Sequence, residues 1–460
     1  MRITEQHIKS GYFWLPSQPE NKIPGTLKIS DGGEIDLEII GNFDNSLESF
    51  NDDITIQRIV GFVEKDGYVT LDDCFYKNKN ISFGCISKSL VHVNTVLYGA
   101  HYGKNEELTF STFRFAVEGL DEWLNICGIK VDYDFANKTA TINYKSPPEE
   151  SFTLSNGLKL TIAFGSTLPG LPVVTEAKIT QRAYIKLSSE ETRPLTDFIS
   201  TAYKITNFLC FALDTTVSIH DVSATSSELL REISEGEHRP VPIKIFYPSL
   251  PFSEVSPKIY WNSMLFRFPQ IKDNAKEIFN NWLNAYERIE PAFNLYFASK
   301  TGAHKYIDGK FLSLAQGIET FHRRTSDETV MPDAEFKDIV GTLIDACPEN
   351  RKKWLEGKLT YSNELTFRTR LKQIVDNFKS FFGSSKDRKA FINQIVNTRN
   401  YLTHYDISLK STECSGAQLF EVCIKMECLF QLHFLKEIGL SDEEIKIIAE
   451  NNYKFKQKLK

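Results

Sequence analysis

The chain has 460 residues, of which 41% are hydrophobic and 12% aromatic, and its formal net charge is −6. That is too long for one ordinary domain and apolar enough for more than one core. The acidic balance argues against a protein that coats nucleic acid nonspecifically, but an enzyme gripping one RNA loop needs only a local basic patch.

The opening MRITEQHIKSGYFWLP is polar and broken by proline, and no run of 18 uncharged apolar residues follows anywhere. Neither secretion nor membrane spanning is expected, which points to the cytoplasm. The eight cysteines (Cys74, Cys85, Cys127, Cys210, Cys347, Cys414, Cys423 and Cys428) contain no C-x-x-C pair, so they read as reduced thiols. Cys414, Cys423, Cys428 and His433 cluster in sequence but lack the close paired spacing of a structural zinc site. No metal and no cofactor is expected.

From Gly25 to about Tyr144 the apolar period is two, with hairpin turns at Asp31-Gly32-Gly33, at Lys65-Asp66-Gly67 and near Asn137. Asn156-Gly157 reads as a further, type I′ turn. Pro147-Pro148 offers a first internal break. Beyond it, Pro194 to Leu213 reads as a buried helix, with strands around Val217 to Val222, Val241 to Tyr247 and Met264 to Phe268. From Asn274 onward nearly every segment has helical period. Pro291 starts a new helix there, and Ser441 with Glu444 forms a capping box. The expected fold is α+β and multidomain: an antiparallel β-rich domain at 1–146, a second β-rich part with one long helix at 147–273 that is possible to join to the first, and an all-α bundle at 274–460.

The stretch with the most chemistry is KDRKAFINQIVNTRNYLTHYD, Lys386 to Asp406. Phe391, Ile392, Ile395, Val396 and Leu402 give it a helix with one buried side. Near its end stand Arg399, Asn400 and His404. Histidine exchanges protons near neutral pH, and the planar arginine fork matches phosphate oxygens. Together they suffice for metal-free RNA cleavage, with the His taking the 2′-OH proton and the Arg steadying charge on the phosphate. Arg399 and His404 are five residues apart and so about 140° out of register. That suits a cleft shared with another surface better than a self-contained pair. With 16 Arg and 9 His in the chain, the spacing alone is weak support.

The context is stronger. R-N-Y-L-T-H at the end of an amphipathic helix resembles the R-x4-6-H motif of HEPN ribonucleases. Together, GYFWLP at Gly11 to Pro16, PGTL at Pro24 to Leu27 and FLSLAQGIETFHRR at Phe311 to Arg324 are similar to the ApeA family of bacterial anti-phage abortive-infection proteins. The resemblance implies a toxic, antiviral endoribonuclease with a C-terminal HEPN domain, His404 as general base or acid, Arg399 as clamp and Asn400 as orienting residue. It also implies a homodimer through the HEPN domain, an RNA substrate such as tRNA or another structured loop, and a phage-derived trigger acting on the N-terminal region. Glu319, on an earlier helix, is the candidate to hold Arg399. Lys386, Arg388, Lys389, Arg368 and Arg370 are candidates for RNA contact, against the plainer reading of a solvated face. The competing reading is a non-catalytic HEPN-like module for RNA binding or dimerisation, in which Arg399 and His404 merely pack.

Overall fold

The computed structural model describes residues 1–43, 55–80, 86–171, 175–227, 229–234, 236–302, 304–405 and 407–459. Cys85, Asp406 and Lys460 lie outside the described residues. The chain divides into two compact units, Met1–Asn280 and Asn281–Lys460.

In the first unit, β1 (His7–Trp14), β2 (Ile23–Ser30), β3 (Glu34–Ile40), β4 (Thr55–Val63), β5 (Gly67–Asn78) and β6 (Lys88–Tyr98) form an antiparallel ring. β6 closes it by pairing with β3 along its first half and with β5 along most of its length. Alternation sorts the side chains: on β3, Ile35, Leu37 and Ile39 are buried while Glu34, Glu38 and Ile40 are exposed. Gly61 is required by packing, because a Cβ there would lie 2.5 Å from the ring of the buried Phe13.

The second half of β6 continues into an open sheet. β7 (Thr109–Val117), the short helix α1 (Leu120–Leu124), the separate hairpin β8 (Ile129–Asp134) and β9 (Thr139–Tyr144), β10 (Glu150–Thr153), β11 (Lys159–Thr167) and β12 (Thr180–Pro194) lead into helix α2 (Leu195–Leu213). Then follow β13 (Ile219–Thr225), the hairpin β14 (Leu230–Ser234) and β15 (Glu237–Pro240), and β16 (Ile243–Phe246). The strand order β10-β11-β12-β7-β13-β16-β6 joins strands from both sides of Pro147 into one sheet with the ring. α2 lies against β7 and β12, where Phe198 stacks on Phe113 at 5.8 Å. Among the described residues no helix is long and apolar enough to cross a membrane.

The hairpins at Asp31-Gly32-Gly33, Lys65-Asp66-Gly67 and Asn137 form where expected. Two expectations do not hold. The β10–β11 connection is not a type I′ turn, since Gly157 has positive φ (84°) but Asn156 does not. Instead the Asn156 carboxamide accepts from the Leu158 N–H at 3.2 Å and donates to Thr201 Oγ1 at 2.9 Å. Met264 to Phe268 is not a strand; Leu265 and Phe266 are buried there and donate their N–H groups to the Ala212 carbonyl at the end of α2. A short buried apolar run has no period that tells a strand from such a loop.

The helical unit begins within α3 (Ala275–Lys300), whose backbone breaks at Ile289 (φ −121°, ψ 20°), two residues before Pro291. It continues with α4 (Ile307–Thr325), α5 (Asp333–Asp345), α6 (Lys352–Leu359), α7 (Phe367–Asn377), α8 (Ser385–His404), α9 (Gly416–Glu437), α10 (Asp442–Asn451) and α11 (Tyr453–Leu459). α4 packs against α7, α8 and α9. The core is aromatic: Phe293, Tyr296, Phe321, Phe430 and Phe434 are all buried. α4 approaches α9 closely at Gly317, where a Cβ would meet the Phe430 ring at 2.8 Å. Ser441 and Glu444 make the expected capping box on α10.

Candidate active site

α8 starts on a capping box. The Asp387 N–H donates to Ser384 Oγ at 3.3 Å, and the Ser384 N–H donates to Asp387 Oδ2 at 2.9 Å. Hydrogen bonds from the Ser384 side chain and backbone hold the Asp387 carboxyl below its ordinary range, and that negative charge offsets the unfavourable basic start of the helix. Phe391, Ile392, Ile395, Val396 and Leu402 are buried. Thr398 is fully buried and its hydroxyl accepts from the Cys414 N–H at 2.9 Å, so the helix is pinned one residue before Arg399. His404 is the last helical residue, because Tyr405 turns left-handed with φ 49°.

Arg399 is half-buried, with 35% of its side chain exposed. Its Nη2 lies 3.6 Å from Glu319 Oε2 on α4, its Nη1 donates to Asn400 Oδ1 at 3.4 Å, and its guanidinium carbon sits 5.5 Å from the centre of the Phe367 ring on α7. Glu319, Arg399 and Asn400 are therefore brought together. His404 stands apart. It is exposed, and among the described residues it makes no hydrogen bond or ion pair. It lies about 7.5 Å along the helix axis from Arg399.

Glu319 is itself held. Its Oε1 accepts from Arg323 Nε at 3.3 Å and Nη2 at 3.1 Å, and Arg323 Nη1 donates to Glu364 Oε2 at 2.5 Å. Arg370 lies 3.9 Å from the same Glu364 oxygen and donates to His322 Nδ1 at 3.1 Å. A guanidinium only donates, so His322 accepts at Nδ1 and carries its proton on Nε2, which donates to Gln373 Oε1 at 2.5 Å. Burial lowers the His322 pKa and the adjacent Arg370 charge acts in the same direction. A polar chain thus runs from Arg399 into the bundle. The E-x-x-x-R spacing of Glu319 and Arg323 is the sequence signal for this chain.

The other basic candidates are dispersed. Arg370 is 4% exposed and engaged with His322, Glu364 and the Leu365 carbonyl, which corrects its expected place on an RNA-facing surface. Arg388 donates to the Gly383 carbonyl at 2.7 Å, and Arg368 donates to Asn393 Oδ1. Lys386 and Lys389 are exposed, but they lie about 22 to 27 Å along the helix axis from His404. Within one copy of the chain they cannot touch the phosphate that His404 would touch. Cys414, Cys423, Cys428 and His433 are buried, and His433 Nε2 is 3.0 Å from the Ile374 carbonyl. Among the described residues no group of three or more His, Cys, Asp or Glu is placed to hold a metal ion.

The family model for ApeA N-terminal domain 1 matches residues 9–282, more than half of the chain. The chain belongs to the ApeA family. A second model, Apea-like HEPN, matches residues 312–444, which takes in Glu319, Arg399, Asn400 and His404. As an ApeA-family member the chain is an anti-phage defence protein with a C-terminal HEPN domain, and HEPN domains are typically nucleases that commonly dimerise and bind RNA. Neither the curated proteins nor the solved structures gave a match.

Proposed function

We propose that this ApeA-family protein is a metal-independent endoribonuclease that acts by abortive infection. The observation that carries the reading is the contrast at the end of α8. Arg399 is held by Glu319 at 3.6 Å, while His404, on the same helix, is exposed and takes no partner among the described residues. A phosphate clamp must be preorganised, and a proton-transfer group must be open to substrate.

In the proposed reaction His404 removes the 2′-OH proton and the 2′ oxygen attacks the adjacent phosphorus. The P–O5′ bond breaks, the departing 5′ oxygen takes a proton, and the products are a 2′,3′-cyclic phosphate and a 5′-OH. Arg399 neutralises charge on the phosphate oxygens through the transition state. Asn400 and Glu319 orient Arg399. One copy of α8 offers one histidine for two proton transfers, so the reading includes a homodimer in which two copies of the helix face each other across the substrate. The N-terminal unit responds to infection.

The test is to sequence RNA 5′-OH ends from cells expressing the full chain or its His404→Ala variant. New ends that disappear in the variant, together with loss of toxicity, support the enzyme. Equal toxicity with no new ends supports the non-catalytic module, in which the Arg399–Glu319 pair serves packing alone.

A further inference from the structure

The outer face of the open sheet in the N-terminal unit carries a row of charge that the nuclease reading does not use. Ladder register places Lys186 on β12 opposite Arg114 on β7, Arg114 opposite Ser223 on β13, and Ser223 opposite Lys244 on β16. Residues directly opposite in an antiparallel ladder share a face with Cβ atoms about 5 Å apart. Three cations and a hydroxyl therefore stand side by side. Among the described residues none of the three cations has a carboxylate within ion-pair distance. Like charges opposite one another destabilise a sheet, and among the described residues no ion pair offsets them.

The row borders a cavity of about 410 Å³. Its walls include Arg114, Lys244, Ser223, Tyr184, Phe246 and the segment Met1 to Thr4. A second cavity of about 370 Å³ shares His7, Pro242, Lys244 and Phe246 with it. The first volume lies in the range of small-molecule sites and is far larger than a single inorganic anion needs. The Arg114 guanidinium carbon lies 4.4 Å from the centre of the Tyr184 ring, and Arg114 is exposed, so a planar ligand group has access to its open face.

Asp221 is the carboxylate lining the first cavity. A bulge between His220 and Ser223, with Asp221 at φ 51°, puts it there. Its charge is shared among His220 Nδ1 at 3.0 Å, Arg182 at 3.8 Å and, at longer range, Arg114, so it offsets the cationic row only in part. Arg2, also in the wall, is spent on Asp31 and Glu118.

We propose that this cavity and the cationic row beside it bind a phosphorylated small molecule of nucleotide size. Its phosphate lies along Arg114, Ser223 and Lys244, and its planar group lies against the open face of Arg114. A walled cavity favours a small ligand over a polynucleotide laid across the sheet.

The test is calorimetric titration of the full-length protein with AMP, ATP, adenosine, inorganic phosphate and a short single-stranded RNA. Binding of AMP or ATP that is at least about tenfold tighter than that of adenosine or phosphate supports the proposal. So does a loss of about tenfold or more in Lys244→Glu and in Arg114→Ser, with their melting temperatures unchanged or raised. The proposal is overturned if neither nucleotide binds at millimolar concentration, if both variants bind as the parent does, or if the RNA binds through these residues while the nucleotides do not.

Discussion

Glu319 Oε2 lies 3.6 Å from Arg399 Nη2, and this contact ties α4 to the candidate catalytic end of α8. The pair is partly exposed, at 19% for Glu319 and 35% for Arg399, so it contributes little to stability, about 1 kcal/mol or less. Its effect on activity should be larger, because a clamp displaced by about 1 Å costs about 100-fold in rate. Glu319→Gln should therefore reduce RNA cleavage by roughly 10- to 100-fold while the melting temperature hardly moves. Unchanged cleavage would remove Glu319 from the site.

Subunit mixing tests the shared cleft. If two copies of α8 make the site, an excess of His404→Ala subunits should silence active ones disproportionately. A strictly linear loss would mean that each subunit works alone.

His433 provides a pH signature for the bundle. Burial lowers its pKa from 6.5 to about 4, and the ring packs against Phe321 and Phe378 at 5.1 and 4.8 Å. A histidine kept neutral in the fold contributes its full stability above pH 6.5 and loses it as pH falls towards 4. The loss should reach about 3 kcal/mol. Urea unfolding at pH 7 and pH 4.5 should show a smaller acid loss in His433→Gln than in the parent. An identical loss in both would place the acid sensitivity elsewhere, and His322, also lowered by burial, would be next.

Glu427 is 3% exposed and lies between two ammonium groups, Lys300 Nζ at 2.9 Å and Lys310 Nζ at 2.6 Å. Burial works against its ionised form, but the two lysines outweigh it and hold the carboxyl below its ordinary range. Glu427→Ala would leave both cations facing each other and should cost about 3 kcal/mol, read as a lowered melting temperature. An unchanged melting temperature would show that the lysines turn to solvent at no cost.

The hairpins were legible because each turn carries its own local code of Gly, Asp or Asn, and the break in α3 because Pro291 removes a backbone donor. Ring closure was not. The pairing of β6 with β3 joins segments separated by two intervening strands, and no local pattern specifies it. The site divides in the same way. Arg399, Asn400 and His404 stand out on one helix, whereas the Phe367 ring under Arg399 and the chain from Glu319 through Arg323 to Glu364 arise only when α4, α7 and α8 pack. Arg370 looked like a surface cation because polarity predicts exposure on average; its partners His322 and Glu364 come from other segments.

The most direct test of the central claim is cleavage of RNA by the purified full-length protein, with the ends of the products identified. The account predicts 5′-OH and 2′,3′-cyclic phosphate ends, little change on adding a chelator, and a rate lowered by about 1000-fold or more in His404→Ala and Arg399→Ala with the fold retained. Cleavage that persists in His404→Ala but stops with the chelator would contradict it.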